Sequence, residues 1–244
     1  MAINSAVDIN ASDFLSFINK PDSLTRIIKE YYAIVPKHEK EGNSASAQNE
    51  NQCKKELGMH LTRYLNRRIK LRNDGTVLDA SFIDGYDFQR KYIFIKSLQV
   101  DDCDKFWQAV SNYKIQIIVL ISRLSYKKCY QYWSSKEGCV KLERQMADKK
   151  IAPIIVQCLD GIGSSAVFCV FDICAAQFDK TGTLSLPSVL KKIRQQNYGL
   201  TIHLDNYVLC YQLLGVYVKK IMFPLPLSNF QTTKLSFTYY TTCT

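Results

Sequence analysis

Histidine is scarce, and no two cysteines form a Cys-x-x-Cys pair. The chain carries three histidines, His38, His60 and His203, and nine cysteines scattered from Cys53 to Cys243. That pattern argues against a zinc site, and neither a metal nor a cofactor is expected. Long apolar runs are missing too. The densest, IQIIVLI, has seven residues, against about 20 needed to span a bilayer. The amino-terminal stretch MAINSAVDINASDFL lacks a basic segment followed by an apolar block, so no secretory signal is expected. The odd number of cysteines, several inside apolar runs (Cys169, Cys174, Cys210), fits a reducing compartment, and a cytoplasmic location is the expectation. What is present is a globular composition: 244 residues, 47% hydrophobic and 12% aromatic, enough to bury a sizeable core. The formal net charge of +10 favours acidic partners such as phosphoproteins, nucleic acid or anionic membrane, without choosing among them.

The hydrophobic pattern mixes two periods. Residues 12–33 read as helical: Phe14, Leu15 and Ile18, then Ile27, Ile28 and Tyr31 recur at helical spacing. Ser12 or Asp13 supplies the cap, and Pro21 breaks the run. The polar stretch KEGNSASAQNENQ (residues 40–52) reads as an exposed loop. Residues 91–95 and 151–156 read as strands, and 115–121 as a denser one, buried and parallel. Helices are predicted over 168–178, 189–196 and 204–222. In the last of these, Tyr207, Tyr211, Leu214, Val218 and Ile221 form one apolar face. The mixture predicts an α/β or α+β fold, and no internal repeat is visible. Residues 223–244, rich in hydroxyl and aromatic side chains, are not placed by their pattern.

One stretch carries chemistry. VQCLDGIGSSAVF (residues 156–168) reads as strand, tight glycine loop and helix, the shape in which a helix amino terminus cradles a phosphate. Yet the loop holds an aspartate and no cation. By itself, Cys158 reads more readily as an ordinary buried thiol than as a reactive one.

The order of several blocks supplies a context. ASFIDGY (80–86), YI (92–93), FW (106–107), IIVLIS (117–122), KCYQYW (128–133), and PIIVQC with GIG (153–158, 161–163) follow one another. Together they resemble the catalytic domain of protein tyrosine phosphatases, which reads roughly NASFIDGY, DFW, IVMLT, KCxxYWP and PIVVHCSAGIGRTGTF. The resemblance covers about residues 31–218. The many short departures resemble the divergent phosphatase set carried by bracoviruses of parasitoid wasps. The resemblance implies a twisted mixed sheet flanked by helices, in a domain over 1–222 with a central segment deleted, and a tail over 223–244. Only the 19 residues from 134 to 152 stand where the family has a segment several times longer.

In such enzymes a cysteine thiolate attacks phosphorus, its pKa lowered by loop amides and a helix end. An arginine six residues later grips two phosphate oxygens, a WPD loop supplies the general acid, and a glutamine loop positions water. By this resemblance Cys158 takes the position of the nucleophile and Ser164 that of the arginine. Serine cannot make the bidentate, charged contact. Leu159 and Asp160 replace a Ser-Ala pair, and Asp160 sets a carboxylate in or beside the anion site, where it repels phosphate and raises the thiol pKa. Gln157 replaces a supporting histidine, while Gly161 and Gly163 keep the backbone path. No WPD occurs anywhere. Asp148, inside the polar MADKK, is a connector charge more readily than a substitute acid. Ile202 and Asn206 stand where the family has glutamines, and residues 122–129 lack the glutamate that partners the missing arginine. Loss of both members of that pair is physically coherent, since one alone would be uncompensated.

Tyr64, in TRY (62–64), resembles the start of the phosphotyrosine loop and is a candidate wall for the ring, though a core or surface tyrosine reads equally well. The basic run Arg63, Arg67, Arg68, Lys70 and Arg72 raises nucleic-acid binding, but Leu61, Tyr64, Ile69 and Leu71 interleave with it. A solvated face of a folded element is the preferred reading. No nucleic acid and no membrane is expected as a partner.

The reading that follows is a catalytically inactive pseudophosphatase acting by binding. The bracovirus resemblance makes it a viral factor that interferes with host immune-cell signalling, adhesion or phagocytosis, with host phosphoproteins or signalling proteins as partners in the host cytoplasm. The alternatives are a phosphotyrosine-protein trap, a residual phosphatase using Cys158, and a decaying gene copy whose shortened domain leaves a sheet edge unpaired. The oligomeric state is not legible.

Overall fold

The structure is a computed structural model that describes residues 8–35, 67–71, 77–121, 152–159, 163–197, 202–224 and 239–241. In chain order its elements are β1 (Ile9–Asn10), α1 (Ala11–Ile18), α2 (Ser23–Ile34), β2 (Arg68–Lys70), β3 (Val77–Ile83), β4 (Tyr92–Lys96), α3 (Cys103–Asn112), β5 (Ile117–Ile121), β6 (Ile154–Cys158), α4 (Gly163–Thr181), β7 (Thr183–Leu184), α5 (Leu186–Gln196), α6 (Leu204–Met222) and β8 (Tyr239–Thr241). They divide into two compact units, Met1–Arg63 with Ala166–Leu235, and Tyr64–Ser165 with Ser236–Thr244.

The first unit is helical, with β1 and β7 forming a two-stranded antiparallel pair. Helix α1 begins earlier than its pattern suggests. The Asn10 side chain accepts from the Asp13 N–H at 2.9 Å, so Asn10 is the cap, not Ser12 or Asp13. Asparagine in extended backbone reaches back to an orphan amide at least as well as serine, which decides the start. Pro21 lies between α1 and α2, as expected. Helix α1 packs on α6 through Phe14 stacked on Tyr211 (centroids 6.0 Å apart) and Phe17 (5.8 Å). The contact is close at Gly215, where a Cβ would lie 2.7 Å from the Ile18 Cδ1. Glycine within a helix costs about 1 kcal/mol against alanine, and here it makes room for α1.

Tyr31 and Tyr207 are buried, and each phenol finds an acceptor, as buried phenols must. Tyr31 donates to the Ile202 carbonyl at 2.9 Å, and Tyr207 and Tyr211 both donate to Glu30 Oε1, at 2.5 and 2.6 Å. Burial first, then the neighbouring phenol and the Glu30 carboxylate, hold the Tyr207 hydroxyl protonated. The predicted apolar face of α6 forms at Tyr207, Tyr211, Leu214 and Val218, but Ile221 is 45% exposed. It lies on the final turn with Lys219, Lys220, Met222 and Phe223, all exposed, past the stretch packed against α1 and α2.

The second unit holds a six-stranded mixed sheet in the order β2-β3-β4-β6-β5-β8. β2, β3 and β4 are antiparallel neighbours, β4 and β5 run parallel to β6 on either side of it, and β8 is antiparallel to β5. The expected α/β class with a mixed sheet is what forms. Ile69, Leu78, Ala80, Phe82, Ile93 and Ile155 build a core on which α3 sets Phe106, Ala109 and Val110. The remaining face of β4 is buried as well, at Tyr92 and Phe94, which explains its unbroken apolar sequence.

Strand β5 is parallel to β6, as expected, but it is not fully buried: Val119 is, while Ile117 is 41% exposed. The expectation of an open sheet edge on the gene-decay reading does not hold at this strand. Its far side pairs with Tyr239–Thr241, in the register Ile117 to Thr241, Ile118 to Tyr240 and Val119 to Tyr239. A stretch without a legible pattern thus supplies an edge strand.

Candidate functional site

The site grows from the end of β6. Ile155 and Val156 are buried between β4 and β5, so the strand is central and its end is fixed from both sides. The register sets Cys158 beside Lys96 of β4 and Ile121 of β5. Cys158 is only 1% exposed and is not part of a disulfide. Leu159 then turns outward, 38% exposed. Helix α4 starts at Gly163, which is buried, followed by exposed Ser164 and fully buried Ser165. The Ser165 hydroxyl donates to the Val156 carbonyl at 3.4 Å and ties the first turn of the helix back to the strand. Strand and helix start therefore stand in the arrangement predicted for 156–168, with α4 beginning five residues before its apolar pattern does.

The described residues around that frame offer few donors. Ser164 can offer one hydroxyl donor, where an arginine would offer five donors and a fixed charge. The cation set beside Cys158 by the register, Lys96, directs its ammonium to Asp79 at 2.8 Å. Gln157 is fully buried, and its Nε2 donates to the Lys96 carbonyl at 3.4 Å, so it fixes the strand end. Asp160, Gly161, Tyr64 and Asp148 lie outside the described residues. In the other unit, Ile202 is fully buried, with its carbonyl taken by Tyr31, and Asn206 sits in the first turn of α6.

One charged feature was not legible in the sequence. Asp84, directly after β3, accepts from Arg67 through both oxygens, at 3.1 and 2.9 Å, and from the Arg90 N–H at 2.8 Å. Arg68 lies 3.7 Å from Asp79. Two cations of the basic run are thus engaged by carboxylates, and Arg67 is only 27% exposed rather than solvated. The described part of the basic run does lie on and beside a folded element, and β2 alongside β3 brings the acids within its reach. The signal was a pair of aspartates inside an otherwise apolar block, ASFIDGY and the residue before it.

The family model for protein-tyrosine phosphatase matches residues 54–146 and 137–215. The chain belongs to the protein-tyrosine phosphatase family. The match comes in two pieces that meet at 137–146, inside the shortened stretch, which fits a phosphatase domain truncated there. Probable tyrosine phosphatase protein J2 of Microplitis demolitor bracovirus is 27% identical across 84% of this chain and 93% of its own length. Tyrosine phosphatase-like protein J3 of the same virus is 39% identical across 54% of this chain and 53% of its own. Receptor-type tyrosine-protein phosphatase F of Bos taurus is 22% identical over 62% of this chain but 11% of its own length. This phosphatase-like chain has no helix among the described residues that is long and apolar enough to cross a membrane.

Proposed function

We propose that the chain is a catalytically inactive tyrosine phosphatase-like protein that acts by binding. One observation carries the reading: six residues after a buried Cys158, exposed Ser164 stands at the start of α4, where phosphoryl transfer needs a forked cation. Each charged hydrogen bond to phosphate contributes about 1.5–3 kcal/mol, and more as charge spreads in the transition state. Catalytic groups act as a unit, so loss of the arginine together with the WPD acid leaves little. In this reading Asp160 adds repulsion at the same place, Gly161 and Gly163 preserve the turn, and Tyr64 is a remnant of the ring wall. The similarity to bracovirus proteins supports a viral factor in the host cytoplasm that engages host phosphoproteins or signalling proteins and interferes with immune-cell signalling, adhesion or phagocytosis. The test is hydrolysis of a phosphotyrosine peptide by purified protein and by Cys158→Ser. Both are expected at the blank rate, and turnover that the substitution abolishes would overturn the proposal. Equal affinity for the peptide with and without its phosphate is expected as well. A preference of ten-fold or more for the phosphorylated form, about 1.4 kcal/mol, would make the chain a phosphotyrosine trap.

A further inference from the structure

Strand β5 is held unequally on its two sides. Toward the middle of the sheet it pairs with β6 over its whole length, Ile117–Ile121 against Ile154–Cys158. On its outer side it meets only the three residues of β8, Tyr239–Thr241. Among the described residues β8 has no second neighbour and is the last strand of the sheet. It is joined to α6 through residues 223–238. With β8 in place Ile117 is still exposed, and Ile118, Leu120 and Ile121 are half-buried. What β8 gives β5 is a partner for the backbone groups of its outer edge, which would otherwise stand open. Its departure leaves β2, β3, β4, β6 and β5 paired in order.

An open strand edge accepts an extended segment through backbone hydrogen bonds, and side chains at alternate positions select the sequence. The occupant here shows which chemistry the edge takes. Thr238, Tyr239, Tyr240, Thr241 and Thr242 are residue types that favour extended backbone, with no charge and no proline among them. We propose that the outer edge of β5 is a strand-acceptor site for an extended segment of a partner protein, and that Tyr239–Thr241 is the chain's own ligand for it. The partner's segment is uncharged and rich in threonine and aromatic residues, and it runs antiparallel to β5 opposite Ile117–Val119. The tether over 223–238 sets the competition, because a linked segment acts at an effective concentration on the order of millimolar. A partner occupies the edge when it binds well enough to displace that segment. The site stands whether or not the β6–α4 turn retains any affinity for phosphate.

Amide hydrogen exchange on the full chain, read over residues 117–121 and 154–158, is the first test. The amides of β5 that face β8 are expected to exchange more slowly than open chain and faster than those of β6, since β8 leaves without the sheet. Exchange at the open-chain rate would mean that β8 does not hold the edge. Exchange as slow as that of β6 would mean that β8 leaves only on global unfolding. Either result overturns the proposal. The second test disables the chain's own segment. Of two successive N–H groups in a strand, one faces the neighbour, so Tyr239→Pro with Tyr240→Pro removes that donor whichever it is. In this variant the outer β5 amides should exchange at least ten-fold faster while the chain still melts cooperatively. A synthetic peptide of residues 234–244, with Cys243→Ser, should restore their protection at about 1 mM and change nothing in the unaltered chain. The same peptide with both prolines should restore none. Failure of the first peptide to protect the edge, or equal protection by the proline peptide, overturns the proposal. A dimer of the variant that the peptide dissociates would name a second copy of the chain as the occupant, against a partner protein. If the variant does not melt cooperatively, exchange in the unaltered chain decides.

Discussion

Two turns of the same sheet treat charge in opposite ways. After β3, Asp84 is gripped by the fork of Arg67 and by the Arg90 amide, and Arg90 accepts a left-handed backbone (φ 57°) while its guanidinium lies 5.1 Å over the Phe82 ring. After β6, the Ser165 hydroxyl ties the first turn of α4 to the Val156 carbonyl, and that helix start presents Ser164 where a forked cation would stand. The difference teaches which charges a fold protects. Arg67 and Asp84 are each other's compensation, 27% and 22% exposed, so neither can be lost alone without leaving a half-buried charge. A cation whose only partner is a ligand has no such hold, and it can vanish while strand, turn and helix stay in place.

The largest effect should come from breaking the first turn. Asp84→Ala removes the carboxylate that Arg67 grips through both oxygens and is expected to cost about 2 kcal/mol. In a chain of this size that lowers the melting temperature by roughly 4–8 °C. Thermal unfolding followed by circular dichroism checks it. An unchanged midpoint would put the Arg67 pair on a par with a solvated surface bridge.

Acid titration sharpens the same contrast. Burial pushes the Asp84 carboxyl up, but the Arg67 hydrogen bonds, the Arg90 amide and the two guanidinium charges outweigh it and hold the carboxyl below its ordinary value of 3.8. A carboxyl held down contributes stability that is complete above the unfolded value and is lost as the pH falls through the folded one. Stability should therefore decline below about pH 4, and less steeply in Asp84→Asn, as urea melts at several acid pH values would show. The smallest effect belongs to the second turn. Ser164 is exposed, so Ser164→Arg should change stability by no more than about 0.5 kcal/mol.

Much of the sheet was legible because β4, β5 and β6 are dense apolar runs, and α6 because Tyr207, Tyr211, Leu214 and Val218 keep helical spacing. Strand β3 was not predicted, although Leu78, Ala80 and Phe82 alternate with Asp79 and Ser81, and α3 was not because only Phe106, Ala109 and Val110 mark its buried side. The family blocks ASFIDGY and FW fall within or beside them but assign neither as strand or helix. The start of α4 was hidden because Gly163 and the two serines after it carry no apolar signal. At the site, Cys158 and Ser164 were singled out through the family resemblance, not through spacing alone. The near-complete burial of Cys158 and the turning of Lys96 toward Asp79 were not, since both depend on neighbours brought in by strand pairing. The Arg67–Asp84 pair was hidden for the same reason: its members lie 17 residues apart. The apolar face of α6 was misread at Ile221, because periodicity shows which residues share a face and not where the packed neighbours end.

The central proposal is that the chain keeps the end of β6 and the start of α4 and no longer binds an anion between them. Calorimetric titration with inorganic phosphate tests it most directly, run on this protein and on Ser164→Arg combined with Asp160→Ala. The account predicts no saturable binding by the protein itself and saturable binding by the double variant, because the strand end and helix start are already in place. Saturable phosphate binding by the unaltered chain, or none by the double variant, would contradict it.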